Sequence, residues 1–371
     1  MLIYFILTIA MLYCLFLSRI TIINDAIGDR NEGFLFKNNG VLLIWYMILL
    51  FLAAFKGAEV GVDYPMYISF FMHKTYIGLL EPGISYIYHL ADKYNSFYVF
   101  STIIYSLFLL FIFYAVKKNT PNYLISIFLF IIMHIYFNSF NQVRQLVAVS
   151  IIFCFAHLVS SEKRLDRLKY IFVILIAMLF HDSAIFMFVL IVIPRKQWSP
   201  KLVIPLFFVT IVLYFLPSVK NSIGELLISI AGSYGEKYAS GYVFFGVNKE
   251  KGFIQLIPVM IQMIIVSIAL YIPKFNEHLN INYKLYIFSM NAVIINLWLY
   301  ALAGIEAIDR LQIYFSCFNI YFYAYLIHHL LNKKKLLDQL FVFLIIAFWI
   351  LYYVLRLLIN VHGIVPYSFL I

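Results

Sequence analysis

Ten apolar runs of about twenty residues each dominate this chain of 371 residues. They cover 2–23, 36–55, 97–116, 122–138, 142–160, 201–217, 253–273, 283–303, 309–331 and 337–359. An α-helix rises about 1.5 Å per residue, so a run of this length crosses a hydrocarbon core of about 30 Å. A soluble fold has nowhere to hide so many. The chain is 64% hydrophobic and 12% charged, against roughly 45–50% and 25% in soluble domains. The runs therefore predict an all-α polytopic membrane protein, a single transmembrane domain over 1–371 with about ten full spans. The first run does not read as a cleaved signal peptide: no basic residue precedes it, no small-residue cleavage site follows, and Arg19 lies near its far end.

The net charge of +10 does not indicate a nucleic-acid partner, because the basic residues are scattered among apolar runs without a stripe. The three cysteines, Cys14, Cys154 and Cys317, lie inside apolar runs and form no CxxC pair. That excludes a disulfide-built secreted domain and reads as small core residues.

An eleventh run, 170–193, decides the topology. Read as one straight span, it leaves 13 basic residues in inner loops and 12 in outer ones, with Lys333-Lys334-Lys335 outside. Read as a hairpin broken at His181-Asp182, it leaves 16 inside and 9 outside, and seven of the nine fall in two long loops. Charge bias is weak in long loops, so the positive-inside rule favours the hairpin. Lys163, Arg164, Arg167 and Lys169 precede it and Arg195, Lys196 and Lys201 follow it, all on the cytoplasmic side in this reading. Arms of roughly twelve residues reach about 18 Å and do not cross. A re-entrant hairpin over 169–194 is thus expected, its tip in an outward-facing cavity, where broken helices are tolerated.

This topology gathers the polar residues on the outer face. A long outer loop, 56–96, holds Gly61-Val62-Asp63-Tyr64-Pro65-Met66-Tyr67 and Glu81-Pro82-Gly83, with an interfacial helix expected over 64–80. A second, 218–252, is rich in Gly, Ser, Tyr and Lys and reads as a lid. Short outer turns carry Asn141, Gln142, Arg144 and Gln145, then Gly304, Glu306, Asp309 and Arg310.

Each candidate has a plainer reading. Arg144 is either a snorkelling arginine at a helix end or an anion clamp. His181 is either hydrogen-bonded between helices or a proton donor or acceptor at the break. Asp182 fits a capping role. Glu306 and Arg310, four residues apart, can pair along one helix face, or Arg310 is a second cation for a ligand. Asp63 and Glu81 are either solvated loop carboxylates or site residues. His134 and His157 read as core packing. Asn291, Asn296 and Asn319 read as contacts between helices, and Gln255 and Gln262 share a face that fits a polar groove. No metal signature, dinucleotide fingerprint or phosphate-binding loop is present in the sequence.

The ordered segments 61–67, 81–83, Asn141-Gln142-Val143-Arg144-Gln145, Phe180-His181-Asp182-Ser183-Ala184 and Asp309-Arg310 resemble those of EpsG/Wzy-type polymerases, which build O-antigen, capsule or exopolysaccharide. The residues after Lys333 add no motif. The resemblance implies a fold similar to C-type glycosyltransferases and a metal-independent glycosyltransferase without cofactor. It would join oligosaccharide repeat units carried on undecaprenyl diphosphate at the outer face of the bacterial cytoplasmic membrane. A chain-length regulator and a flippase are the partners such an enzyme calls for, beside membrane lipid.

Chemically, an arginine fork matches a departing diphosphate. That points to Arg144 and Arg310, with Gln145 beside them. An acceptor hydroxyl needs a base within hydrogen-bond reach; His181, Asp63 and Glu81 are candidates, and the sequence does not choose among them. Tyr64, Tyr67, Tyr234 and Tyr238 are candidate sugar platforms. Two other readings remain at this level. A carrier or flippase for a lipid-linked glycan would predict matching broken helices in two halves, and only one break is seen. A membrane O-acyltransferase with His181 as base would need a cytoplasmic acyl donor.

Overall fold

Proline and asparagine punctuate the helices of this chain, and a computed structural model shows where each one starts and stops. It describes residues 1–26, 40–75, 78, 80–231, 252–272, 282–333 and 335–369. In chain order come α1 (Leu2–Ala26), α2 (Gly40–Ala54), α3 (Tyr64–His73), α4 (Pro82–Lys93), α5 (Phe97–Asn119), α6 (Tyr123–Ile132), α7 (Ile135–Cys154), α8 (Ala156–Ser160) and α9 (Arg164–Met178). A 3-10 segment, Asp182–Phe188, leads into α10 (Val189–Val192). Then follow α11 (Pro200–Tyr214), α12 (Pro217–Ala231), α13 (Phe253–Ala269), α14 (Tyr283–Leu299), α15 (Glu306–Ser316), α16 (Phe318–Asn332) and α17 (Leu336–Leu358). Asn122 and Asn282 cap α6 and α14, each side-chain oxygen accepting an N–H three residues on at 3.1 Å. Pro65, Pro82 and Pro200 stand in the first turns of α3, α4 and α11, where a missing N–H costs nothing.

The all-α expectation holds among the described residues, and no strand forms. The expected ten full spans are not all found there. Among the described residues three helices are by length and composition able to cross a membrane, Phe97–Asn119, Tyr283–Leu302 and Leu336–Leu358; five are if each of two bent pairs counts as one span. The reason is local. Runs 122–138 and 142–160 do not meet at a polar turn. The bend, 78°, falls earlier, between α6 and α7, where His134 takes a left-handed φ of 62°. The helix then continues through Asn138–Gln142 with a kink at Gln142. Run 201–217 bends by 92° into α12, so the lid-like loop expected over 218–252 begins as helix. Run 309–331 is two helices, interrupted at Cys317. The segment 64–80, expected as one helix, is helical over Tyr64–His73 as α3, and α4 follows it.

Apolar side chains cover the outer surface of the long helices: Leu337, Leu340, Phe343, Leu344, Leu351 and Leu355 of α17 are exposed. A surface of that kind needs lipid. The chain is an integral membrane protein. In such a surround apolar burial drives helix association weakly, and packing with polar contacts carries it.

The fold divides into two compact units: Met1–His157 with Leu168–Ile185 and Tyr323–Ile371, and Leu158–Arg167 with Phe186–Phe322. In the first, α5 packs against α2, α4 and α7. Tyr105, Phe108, Leu109 and Ile112 of α5 are wholly buried. Buried tyrosines reach backbone carbonyls: Tyr136 donates to Leu49 at 2.7 Å, Tyr170 to Ile152 at 3.1 Å and Tyr325 to Asn119 at 2.5 Å. In the second, α11 packs on α14 and α13. Asn291 donates to the carbonyls of Pro194 and Lys196 at 2.7 and 2.9 Å, and Trp198 stacks on Trp298 at 4.8 Å.

Candidate functional site

Pro82 forces the residue before it into an extended backbone, and Glu81 obeys, with φ −59° and ψ 148°. The start of α4 then docks on the end of α9. Gly83 donates its N–H to the carbonyl of Leu179 at 2.7 Å. A Cβ at Gly83 would stand 2.7 Å from that same oxygen, so only glycine permits the approach. One contact thereby joins the Glu81-Pro82-Gly83 segment to the break beside His181.

A second glycine performs the other junction. Gly61 has φ +110°, and a Cβ there would lie 2.7 Å from the Phe140 carbonyl. Beside it the Asn141 side-chain oxygen accepts from the N–H groups of Val62 at 2.5 Å and Asp63 at 3.2 Å. The loop before α3 is thus seated on α7 just ahead of its kink. Phe71 of α3 meets Tyr88 of α4 and Phe97 of α5 edge-on at 5.2 and 5.6 Å, which fixes the two short helices side by side.

With both junctions made, Arg144 points into their meeting place. Its Nη1 donates to Glu81 Oε2 at 2.8 Å, and its Nε lies 3.4 Å from the Tyr67 hydroxyl. The guanidinium also faces the Tyr67 ring at 5.8 Å. The Glu81 side chain is 9% exposed and that of Arg144 26%. A cavity of about 20 Å³ opens beside them, lined among others by Tyr67, Ile84, Tyr88 and Arg144, room for about one water. The neighbouring helices α3 and α4 and the distant α7 so contribute an aromatic ring, a carboxylate and a cation to one place.

The 330 residues from 40 to 369 match the model of the EpsG family. The chain belongs to the EpsG family. Membership implies a polysaccharide-polymerase-like function, and with it a glycosyltransferase-like activity. Comparison with curated proteins and with solved structures returns no match.

The other candidates of this EpsG-family chain fall as follows. His181 is buried, and its Nδ1 lies 2.6 Å from Ser183 Oγ. The Ser183 N–H also reaches Nδ1 at 3.3 Å. Asp63 is half-buried at the head of α3, and its side chain makes no cap there. Gln145 is buried on α7. Arg310 and Asp309 belong to the second unit. Arg310 Nε donates to Glu306 at 3.0 Å, and Asp309 accepts from the Gly304 N–H at 3.2 Å; these residues form the first turns of α15 rather than an outer turn. Gln262 is buried and donates to the Pro258 carbonyl of its own helix at 3.2 Å. Among the described residues no three His, Cys, Asp or Glu side chains gather to hold a metal.

Tyr64 is a correction. Far from offering its ring to a sugar, it is 2% exposed, and its hydroxyl bonds Ser101 at 3.0 Å. Burial pushes that hydroxyl up to about 12. Tyr234 and Tyr238 lie outside the described residues.

Sequence reasoning missed Lys56. It is wholly buried, with Nζ 3.1 Å from the Tyr64 ring centre and donating to the Tyr105 hydroxyl at 2.7 Å. No carboxylate touches it among the described residues. Burial drives its amine well below lysine's ordinary range.

Proposed function

We propose that this protein joins repeat units carried on undecaprenyl diphosphate into long polysaccharide at the outer face of the cytoplasmic membrane. The observation that carries the reading is the convergence of Arg144, Glu81 and Tyr67 from three separate segments. In the proposed reaction the acceptor hydroxyl attacks the anomeric carbon of the growing chain. The bond from that carbon to the diphosphate oxygen breaks, and undecaprenyl diphosphate leaves with the electron pair. The hydroxyl proton passes to a carboxylate, Glu81 or Asp63.

Arg144 gives the charge that appears on the leaving oxygen a fixed cationic fork. Glu81 occupies part of that fork here, so an arriving diphosphate competes with it. His181 contacts the phosphate or the acceptor through its imidazole, and Tyr67 offers a ring edge to a sugar. Arg310 and Gln145 keep candidate roles toward the diphosphate.

Purified protein supplied with a lipid-linked unit tests the activity. Replacing Arg144 or His181 with Ala should lower polymer formation by about 100- to 1,000-fold with protein amount unchanged; normal polymer from both variants removes the site. The re-entrant hairpin has its own test. A topology reporter fused after residue 200 should read cytoplasmic, and an exported reporter would dismiss the outward-facing site.

A further inference from the structure

We propose that the segment after α17, residues 360–369, is the element that positions the loop 57–63, with Asn141, His362 and Gly363 as positioning residues. This rests on reading Asp63, Glu81 and Arg144 as the site. The last helix, α17, ends at Leu358, and the chain then turns sharply. Asn360, His362 and Gly363 all have left-handed φ, 49°, 76° and 63°. Non-glycine residues hold such angles only where the surroundings dictate them, and here they do. The Asn360 side chain accepts the Val365 N–H at 2.8 Å and donates to its carbonyl at 2.7 Å. Arg356 holds the His362 ring at 2.5 Å, and its own Nη1 is held by the Tyr352 hydroxyl at 2.8 Å.

The turn so fixed lies along the loop. The Gly363 carbonyl accepts the Gly61 N–H at 2.9 Å, and the Ser368 carbonyl accepts that of Gly57 at 2.8 Å. Lys56 and Phe369 form an isolated antiparallel bridge. The Ser368 hydroxyl bonds the Glu59 carboxylate. Asn141 closes the arrangement: its amide donates to the His362 carbonyl at 3.0 Å while its oxygen holds Val62 and Asp63. One side chain therefore ties the kinked helix, the loop and the tail together, three residues before Arg144. The tail is itself anchored in the first unit, Tyr4 donating to the Ile364 carbonyl at 2.5 Å and Tyr367 to that of Leu52 at 2.8 Å. Remove the tail and the N–H groups of Gly57 and Gly61 lose their acceptors, and Asn141, which seats Asp63, loses the His362 carbonyl that holds its amide.

Gly363 gives the discriminating test. A Cβ there would stand 3.1 Å from Val62 Cγ2, at a φ of +63°. Gly363→Ala should press on Val62 and shift the loop by a few tenths of an ångström, lowering kcat by about 3- to 10-fold with KM for the lipid-linked unit little changed and protein amount retained. Val62→Ala, whose side chain is largely exposed, should leave activity near wild type alone and recover most of it in combination with Gly363→Ala. Hydrogen exchange of a peptide covering 57–67, in the full-length detergent-solubilised protein, should quicken in Gly363→Ala and Asn141→Ala. It should return toward wild type in the double variant. Unchanged activity and exchange in both single variants overturn the proposal, as does a loss that Val62→Ala fails to relieve. If the wild type makes no polymer, the functional reading fails instead, and exchange alone then decides the role of the tail.

Discussion

Consider a double-mutant cycle on Glu81 and Arg144 with Glu81→Gln and Arg144→Gln. The pair is a charge-assisted contact of 2.8 Å, a class worth about 1.5–3 kcal/mol. Removing one member of a fully buried pair costs roughly 3–5 kcal/mol, but Arg144 keeps 26% of its side chain exposed, so the smaller range applies. The two single variants should differ. Arg144→Gln strands a carboxylate that is only 9% exposed, and should destabilise by about 2–3 kcal/mol. Glu81→Gln leaves an arginine that can turn toward water while the Gln oxygen still accepts its hydrogen bond, and should cost about 1 kcal/mol. Thermal unfolding in detergent measures both and their coupling.

The same cycle separates pairing from catalysis. The exchange variant, Glu81→Arg with Arg144→Glu, restores opposite charges and should recover part of the lost stability. It should not recover polymer, because the cation would no longer stand where the diphosphate departs. Full polymer synthesis from the exchange variant would refute the site role of Arg144. A coupling below about 0.5 kcal/mol, the usual scatter between independent sites, would refute the pair itself.

Three further outcomes are expected. Between its lowered folded value and about 10.4, the Lys56 amine is neutral in the fold but protonated in the unfolded chain, so stability should rise with pH across that window; Lys56→Met should flatten the rise and stabilise at pH 7, and a flat wild-type profile from pH 7 to about 10.4 refutes this. Burial and the Arg356 charge hold the His362 imidazole down to about 3, so stability is complete above its ordinary value of about 6.5 and falls as the pH drops from there toward 3. His362→Gln should lessen that acid loss in thermal scans, and an identical acid profile argues against it. Gly61→Ala sets a Cβ 2.7 Å from the Phe140 carbonyl at φ +110°; a cost of about 1–3 kcal/mol should appear in unfolding, and an unshifted transition would show that the loop sits elsewhere.

Much of this was legible in the residues, and the failures have physical causes. Membrane character followed from hydropathy because a lipid surround selects residue type along a whole helix. Span count did not, because bending a helix changes no residue's hydropathy. The 78° bend between α6 and α7 turns on the left-handed φ of His134, and nothing in an apolar run announces such an angle. The polar stretch around Asn141 reads as a turn, yet it is helical because its side chain is satisfied by the loop and the tail, a tertiary contact overriding local preference. Tyr64 and Tyr67 sit three residues apart on one short helix. Sequence treats them alike, while packing sends Tyr64 inward over Lys56 and leaves Tyr67 beside Arg144.

The motifs also show where side-chain patterns stop being informative. Arg144, Glu81 and His181 stand out because charge in an apolar chain is rare and costly. What brings their segments together is backbone: Gly83 on the Leu179 carbonyl, Gly61 on that of Gly363. Glycine leaves a trace, since a Cβ would collide in both motifs, but the accepting carbonyls leave none. Every residue carries one, so the tail that holds the loop through the carbonyls of His362, Gly363 and Ser368 has no composition to betray it. What side chains do contribute to that segment is its turn: the left-handed φ of Asn360, His362 and Gly363 and the Arg356 contact on the His362 ring hold those carbonyls where the loop and Asn141 meet them.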